Sequence, residues 1–424
     1  MTHIAWLGKK SPFCGNVTYG LSITDALRGR GHRVSFIHFD TPATPLNLGD
    51  PRSAGLRAWR PAVAAPTAIA GLQTAATTAG GESPTGGGDP ASPEVALPYL
   101  LKSQVYTIPS PGAQRELRES LARLQPDLVH ASLTLSPLDF LLPDLCQQLG
   151  LPLVATFHPA FDAGLRNLAA GTQQLTYQLY APALARFDRV IVFSDLQADV
   201  LERLGVKRER LAVIPNGVDP QLWCPAPALP GPELQELRRR FAGQRVFLYL
   251  GRVATEKNVE ALLRAWRLVR PAGCVLVVVG DGPLRTALQT NDERDVVWWG
   301  YEGLLERRVA LLQLAEVFLL PSLVEGLSLA LLEAMACGTA CVATDAGADG
   351  EVLADGAGIV ISTQGVTTQL RTLLPVLREQ PVLTAELGRR ARERVLERYT
   401  LASNIDALER LYAELPRRPA MTLG

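Results

Sequence analysis

The chain has 424 residues, 47% hydrophobic and 20% charged, a length and balance that suit two globular cores. Lys plus Arg equal Asp plus Glu at 42 each, so net charge gives no reason for a nucleic-acid partner and any anion site has to be local. Six cysteines without a C-x-x-C pair argue against a disulfide framework or a zinc site and fit a reducing compartment.

At the N-terminus a short apolar run precedes Lys9 and Lys10, the reverse of a secretory signal, so a cytoplasmic protein is expected, with peripheral contact to a membrane left open. Short apolar runs then recur between turns rich in Gly, Pro or Ser and amphipathic helices. The first half predicts strands over 3–7, 33–39, 127–131, 152–157, 189–193 and 211–214. Residues at about 41–93 are rich in Ala, Gly, Thr and Pro, and their glycine-rich centre at 80–88 can bury almost nothing, which predicts an irregular insertion. The stretch 167–185 is free of charge but carries three glutamines, two threonines and an asparagine, which hydrocarbon would not tolerate cheaply.

Ile214-Pro-Asn-Gly-Val-Asp219, followed by the proline-rich stretch 225–232, has the chemistry of a hinge. It divides an N-terminal domain, 1–222, from a C-terminal one, 223–398. The second half predicts strands over 246–250, 275–279, 296–299, 317–320 and 340–343. Runs such as Ile191-Val-Phe lack polar alternation, as expected of parallel strands covered on both faces. The fold class is therefore α/β, with two Rossmann-like, doubly wound parallel sheets. A last helix over about 401–415 has Leu408, Leu411, Tyr412 and Leu415 at helical spacing.

Three turns of the second half carry chemistry. Gly251-Arg252 with Lys257-Asn258 sets two cations on a strand-to-helix turn, where backbone amides add positive potential and a diphosphate can bind. Two solvated surface cations would read the same way. Gly280-Asp-Gly282-Pro283 ends another strand, but it is not G-x-G-x-x-G and has no acidic residue at the usual distance, which lowers a nicotinamide reading. Glu325 and Glu333 have seven residues between them, one in a loop and one inside an apolar helix, where a carboxylate needs a partner. That partner is either a cation in a structural ion pair or a pair of ribose hydroxyls.

Taken together with Phe193-Ser194, Ile214-Pro-Asn-Gly-Val-Asp219, Gly338-Thr-Ala-Cys-Val-Ala-Thr344 and Glu351, these motifs make nearly the whole chain resemble the family 4 retaining glycosyltransferases of GT-B fold. The resemblance implies a nucleotide diphosphate sugar as donor and co-substrate. Arg252 and Lys257 would hold its diphosphate, Glu333 the ribose hydroxyls, and Glu325 the hexose or the adjacent phosphate. Gly280, Gly282, Gly326, Leu327 and Ser328 would line the donor, with Trp299, Gly300 and Tyr301 near the base. A loop after the first strand would face the phosphates through Gly15 and Asn16, where Asn replaces the usual second glycine. Asn tolerates left-handed geometry and can cap the next helix. His158 matches the family's histidine beside the sugar, whereas His130 reads as structural. The last helix, 399–424, would return to the first domain.

The catalytic set implied is His158, Arg252, Lys257 and Glu325. No D-x-D occurs in the chain, so the carboxylate pair that normally holds a metal for nucleotide sugars is missing, and protein cations must do that work. No metal and no cofactor beyond the co-substrate are expected. Other readings are a nicotinamide oxidoreductase, a phosphorylase with lysine-bound pyridoxal phosphate, a sugar-nucleotide epimerase, or a non-catalytic sugar-nucleotide-binding protein.

For the acceptor, eight basic residues (Lys9, Lys10, Arg28, Arg30, Arg33, Arg52, Arg57, Arg60) face three acidic ones before Pro61, a balance that suits an anionic bilayer. Leu56-Arg-Ala-Trp59-Arg adds an indole among cations. The segments 97–109 and 130–143 are similar to cyanobacterial glycosyltransferases of the digalactosyldiacylglycerol synthase type. These features point to a glycolipid such as galactosyldiacylglycerol as acceptor and to UDP-galactose or UDP-glucose as donor. A soluble sugar or polysaccharide acceptor is the alternative.

Overall fold

A computed structural model describes residues 1–10, 15–40, 93–103, 106–160, 168–290 and 293–416. The stretch read as an insertion lies outside the described residues up to residue 92, together with Arg52, Arg57, Trp59 and Arg60. Two parallel sheets organise the rest. The first holds β1 (His3–Leu7), β2 (Arg33–Phe39), β3 (Val95–Leu97), β6 (Leu128–Ser132), β7 (Leu153–Thr156), β8 (Arg189–Val192) and β9 (Leu211–Val213) in the order β3-β2-β1-β6-β7-β8-β9. A separate antiparallel hairpin joins β4 (Tyr99–Lys102) to β5 (Thr107–Pro109). The second sheet holds β10 (Arg245–Leu250), β11 (Cys274–Val279), β12 (Val296–Gly300), β13 (Val317–Leu320), β14 (Ala340–Thr344) and β15 (Ile359–Ile361) in the order β12-β11-β10-β13-β14-β15.

Each sheet reverses its strand order once, at β1 and at β10, and the crevice at such a reversal is where open α/β sheets bind ligands. Period two along β1 sends Ile4 and Trp6 to one face and Ala5 and Leu7 to the other, and the two sets belong to different buried clusters. All six residues of β11 are buried, because helices cover both faces. One of those helices, Val259–Val269, turns Val259, Leu262, Leu263 and Trp266 inward at helical spacing. It ends where Arg270 takes a left-handed φ of 42°.

Helix Leu401–Ala413 packs on the first domain: Arg30 pairs with Asp406 and Glu409, and Tyr412 Oη meets His130 Nδ1 at 2.6 Å. The chain crosses over at Thr400, against which Gly217 packs so closely that a Cβ there would stand 2.5 Å from the Thr400 oxygen.

Among the described residues, several of the basic ones near the N-terminus are engaged within the fold. Lys9 is buried, Lys10 pairs with Glu94, Arg28 with Asp25, and Arg30 with the last helix. Helix Leu168–Leu184 buries Tyr177 and Tyr180 against Phe157 and exposes Leu175 and Leu179. Among the described residues no helix is long and apolar enough to cross a membrane.

Candidate functional site

The turns after β10, β11 and β13 converge. Gly280 has φ 136°, and a Cβ on it would fall 1.8 Å from the Gly251 oxygen, so the first two turns touch backbone to backbone and only glycine fits. Gly282 also crowds the backbone, since a Cβ on it would fall 2.3 Å from the Val253 oxygen. Gly280 N–H donates to Gly300 O at 2.7 Å, which draws in the end of β12, beyond which Tyr301 is exposed.

Arg252 and Lys257 each meet a carboxylate. Arg252 pairs with Glu256, four residues on, and Lys257 Nζ donates to Glu325 Oε1 at 2.6 Å. The same oxygen accepts from Ser322 Oγ at 2.7 Å, which explains how Glu325 can be buried. Two bonds hold these groups in register: the backbone Leu323 N–H donates to Glu256 O, and the side-chain Nδ2 of Asn258 donates to Pro321 O. Leu327 is buried, and Ser328 caps helix Leu329–Ala336 by accepting from Leu331 N. Such a cap contributes about 1 kcal/mol.

Glu333 lies inside that helix, buried, and both its oxygens accept from Arg308 Nη2, at 3.2 and 2.9 Å. Of the two partners foreseen for this carboxylate, the structure shows the cation. Burial nevertheless outweighs Arg308 and raises the carboxyl to about 7. Arg308 also lies over the Trp223 ring at 5.3 Å.

In the first domain, His158 follows β7, with Nε2 2.8 Å from Ser132 Oγ and its ring edge-on to Tyr19 at 4.9 Å. Burial, then the charge of Lys9, push its ring down to about 3, so it is neutral. His130 uses both nitrogens inside the fold, on Tyr412 and on Thr156, and stacks on Trp6 at 4.1 Å, as a structural histidine would. Gly15 and Asn16 open helix Gly15–Gly29. Asn16 is therefore helical and does not precede the helix as a cap. Residues 11–14 of this loop lie outside the described residues.

The two halves of the site meet directly. A Cβ on Gly326 would stand 3.2 Å from the carbonyl oxygen of His158 and 3.8 Å from the Phe193 ring. Asn216, from the hinge motif, donates through Nδ2 to Leu327 O at 2.8 Å. Lys257, Glu325, Gly326 and His158 are thus linked through a short run of contacts. The sequence reading missed Arg308, buried Lys9 and buried Asp349, which accepts from Ser328 N–H at 2.9 Å. Only the demand of Glu333 for a cation hinted at the first. Among the described residues, no group of three or more His, Cys, Asp or Glu is arranged to hold a metal.

Residues 15–222 match the family described as Glycosyltransferase Family 4, and residues 244–375 match Glycosyl transferases group 1. The alpha-maltose-1-phosphate synthase of Mycolicibacterium smegmatis is 30% identical over 288 residues, covering 63% of this chain and 74% of that protein. The UDP-Gal:alpha-D-GlcNAc-diphosphoundecaprenol alpha-1,3-galactosyltransferase of Escherichia coli is 27% identical over 234 residues, 51% of this chain and 57% of that one. In fold, the chain is similar to Anabaena HepE, crystallised in complex with UDP and glucose. The TM-score is 0.70 at 17% identity, over 98% of this chain and 100% of that one.

Proposed function

This chain belongs to the family 4 glycosyltransferases, enzymes that transfer a sugar from a nucleotide sugar, and we propose that it is a retaining, metal-independent hexosyltransferase using UDP-galactose or UDP-glucose. Its proposed acceptor is a membrane glycolipid such as galactosyldiacylglycerol. The observation that supports the donor-site reading is the close approach of Gly326 to the His158 carbonyl, which links the Lys257–Glu325 pair to the histidine across two domains.

In the proposed transfer, the bond from the anomeric carbon to the β-phosphate oxygen breaks and the acceptor oxygen bonds to that carbon on the same face. The acceptor proton passes to the departing phosphate oxygen. Arg252 and Lys257 balance the charge that develops there. Both are already answered by carboxylates, so the diphosphate exchanges with Glu256 and Glu325 as it binds, and Glu325 is released toward the hexose hydroxyls. Neutral His158 holds a sugar hydroxyl without adding charge. Glu333, kept in place by Arg308, has lone pairs left for the ribose hydroxyls.

A glycolipid acceptor is supported by the sequence likeness over residues 97–109 and 130–143, and by a relative whose name gives a diphosphoundecaprenol-linked acceptor. A soluble acceptor is the second reading. It is favoured by the name of the maltose-1-phosphate relative and by the internal pairing of Lys10, Arg28 and Arg30. Incubation with uridine- and guanosine-linked hexoses and with lipid and soluble acceptors, followed by mass spectrometry, decides donor and acceptor together. Transfer to a soluble saccharide but none to galactolipid, with no flotation on anionic vesicles at low salt, would exclude the lipid reading.

A further inference from the structure

Thr344, the last residue of β14, and residues 345–349 after it run beneath the loop 325–328 and are stitched to it. Thr344 Oγ1 donates to Ser322 O at 2.6 Å, Ala348 N–H to Gly326 O at 2.8 Å, and Ser328 N–H to Oδ1 of Asp349 at 2.9 Å. Gly347, with φ 59°, packs so tightly that a Cβ would fall 2.2 Å from the backbone carbonyl oxygen of Glu325. Asp349 is wholly buried, and its Oδ2 has no hydrogen-bond partner. A carboxyl group so placed is costly, whereas an apolar side chain of similar size would fill the space without that cost. Its one direct hydrogen bond here reaches the loop that would cradle the donor.

We propose that Asp349 is a positioning residue of the donor site, holding Ser328 from beneath and thereby setting loop 325–328 against the diphosphate. The proposal rests on reading that loop as the donor site. Two charged side chains act on Asp349: Glu325 from the loop after β13 and Lys257 from the turn after β10. Burial, then Glu325, hold the Asp349 carboxyl well above the ordinary carboxylate range, while the Ser328 amide and Lys257 pull it down. As a neutral acid it accepts from Ser328 without becoming a second anion beside Lys257. Once ionised, it would compete with a diphosphate for the same cation, so donor affinity falls as pH rises through its elevated value.

Calorimetric titration of UDP into the full chain, over a pH series spanning the stability range of the fold, tests this. Asp349→Asn keeps the oxygen that accepts from Ser328 and cannot ionise. It is expected to bind UDP within about twofold of the unmutated chain where Asp349 is neutral, and to hold that affinity as pH rises through the elevated value of Asp349, where the unmutated chain weakens. Asp349→Ala is expected to bind about tenfold more weakly across the range. Parallel pH profiles for the unmutated chain and Asp349→Asn, or unmutated affinity in Asp349→Ala, overturn the role of Asp349 alone. If Asp349→Ala does not fold, the comparison with Asp349→Asn still decides, because a merely structural role would lower the Tm without moving the pH profile. No UDP binding by the unmutated chain at any pH overturns the donor-site reading and this proposal with it.

Discussion

Gly326 and His158 come from different domains and touch through their backbones, a Cβ on the glycine standing 3.2 Å from the histidine oxygen. A Cβ at 326 would sit closer to that oxygen than packed Cβ atoms ordinarily do, so the histidine carbonyl has to give by a few tenths of an ångström. Gly326→Ala is expected to lower kcat/KM about tenfold, because small displacements of reacting groups are expensive. It should leave the Tm nearly unchanged. Steady-state kinetics beside a thermal melt check this, and unmutated kinetics would show that the contact is not a constraint on catalysis.

Lys257→Ala is expected to reduce kcat by a factor of about 10² to 10³, as loss of one donor to a developing oxyanion does. It also leaves buried Glu325 without its cation, so the Tm should fall. Pairing the change with Glu325→Gln separates the two effects, since the double variant should regain stability without regaining turnover. Single-turnover assays across these variants make the comparison, and a double variant as active as the unmutated enzyme would remove Lys257 from the mechanism.

Glu333 ties stability to pH. Its folded value of about 7 lies above its ordinary 4.5, so its contribution is fully present below 4.5 and is lost as pH rises through about 7. Glu333→Gln should flatten this part of the Tm-against-pH curve. Arg308→Ala strands the carboxylate and should cost more at pH 8 than at pH 5. Melts of the three proteins over that range suffice, and a pH-independent loss in Arg308→Ala would contradict the assignment.

For His158, burial and Lys9 hold the ring at about 3, far below its usual 6.5. No activity limb from this residue is therefore expected between pH 5 and pH 8. His158→Ala should lower kcat/KM by about 10² with the pH profile keeping its shape. A limb near pH 6.5 that disappears in His158→Ala would show that the histidine titrates during the reaction.

Much of the fold is legible in the chain, since strands covered on both faces must be apolar throughout, as Val275–Val279 are. The hairpin β4–β5 and the strands β3 and β15, of three or four residues each, escape this reading, although β9 is as short and does not. The donor-side motifs are legible for a related reason: a tight turn demands glycine locally, and local demands leave a spacing in sequence. Gly280 against Gly251 is the plainest case.

What tertiary structure alone decided is who answers whom. Glu333 announced that it needed a partner, but Arg308, 25 residues away on another helix, carries no spacing that marks it. The burial of Lys9 and Asp349, and the meeting of Gly326 with His158, follow from how two sheets and a returning helix stack. Side-chain charge is written residue by residue, whereas its environment depends on contacts between residues far apart in the chain, and no period or motif encodes those.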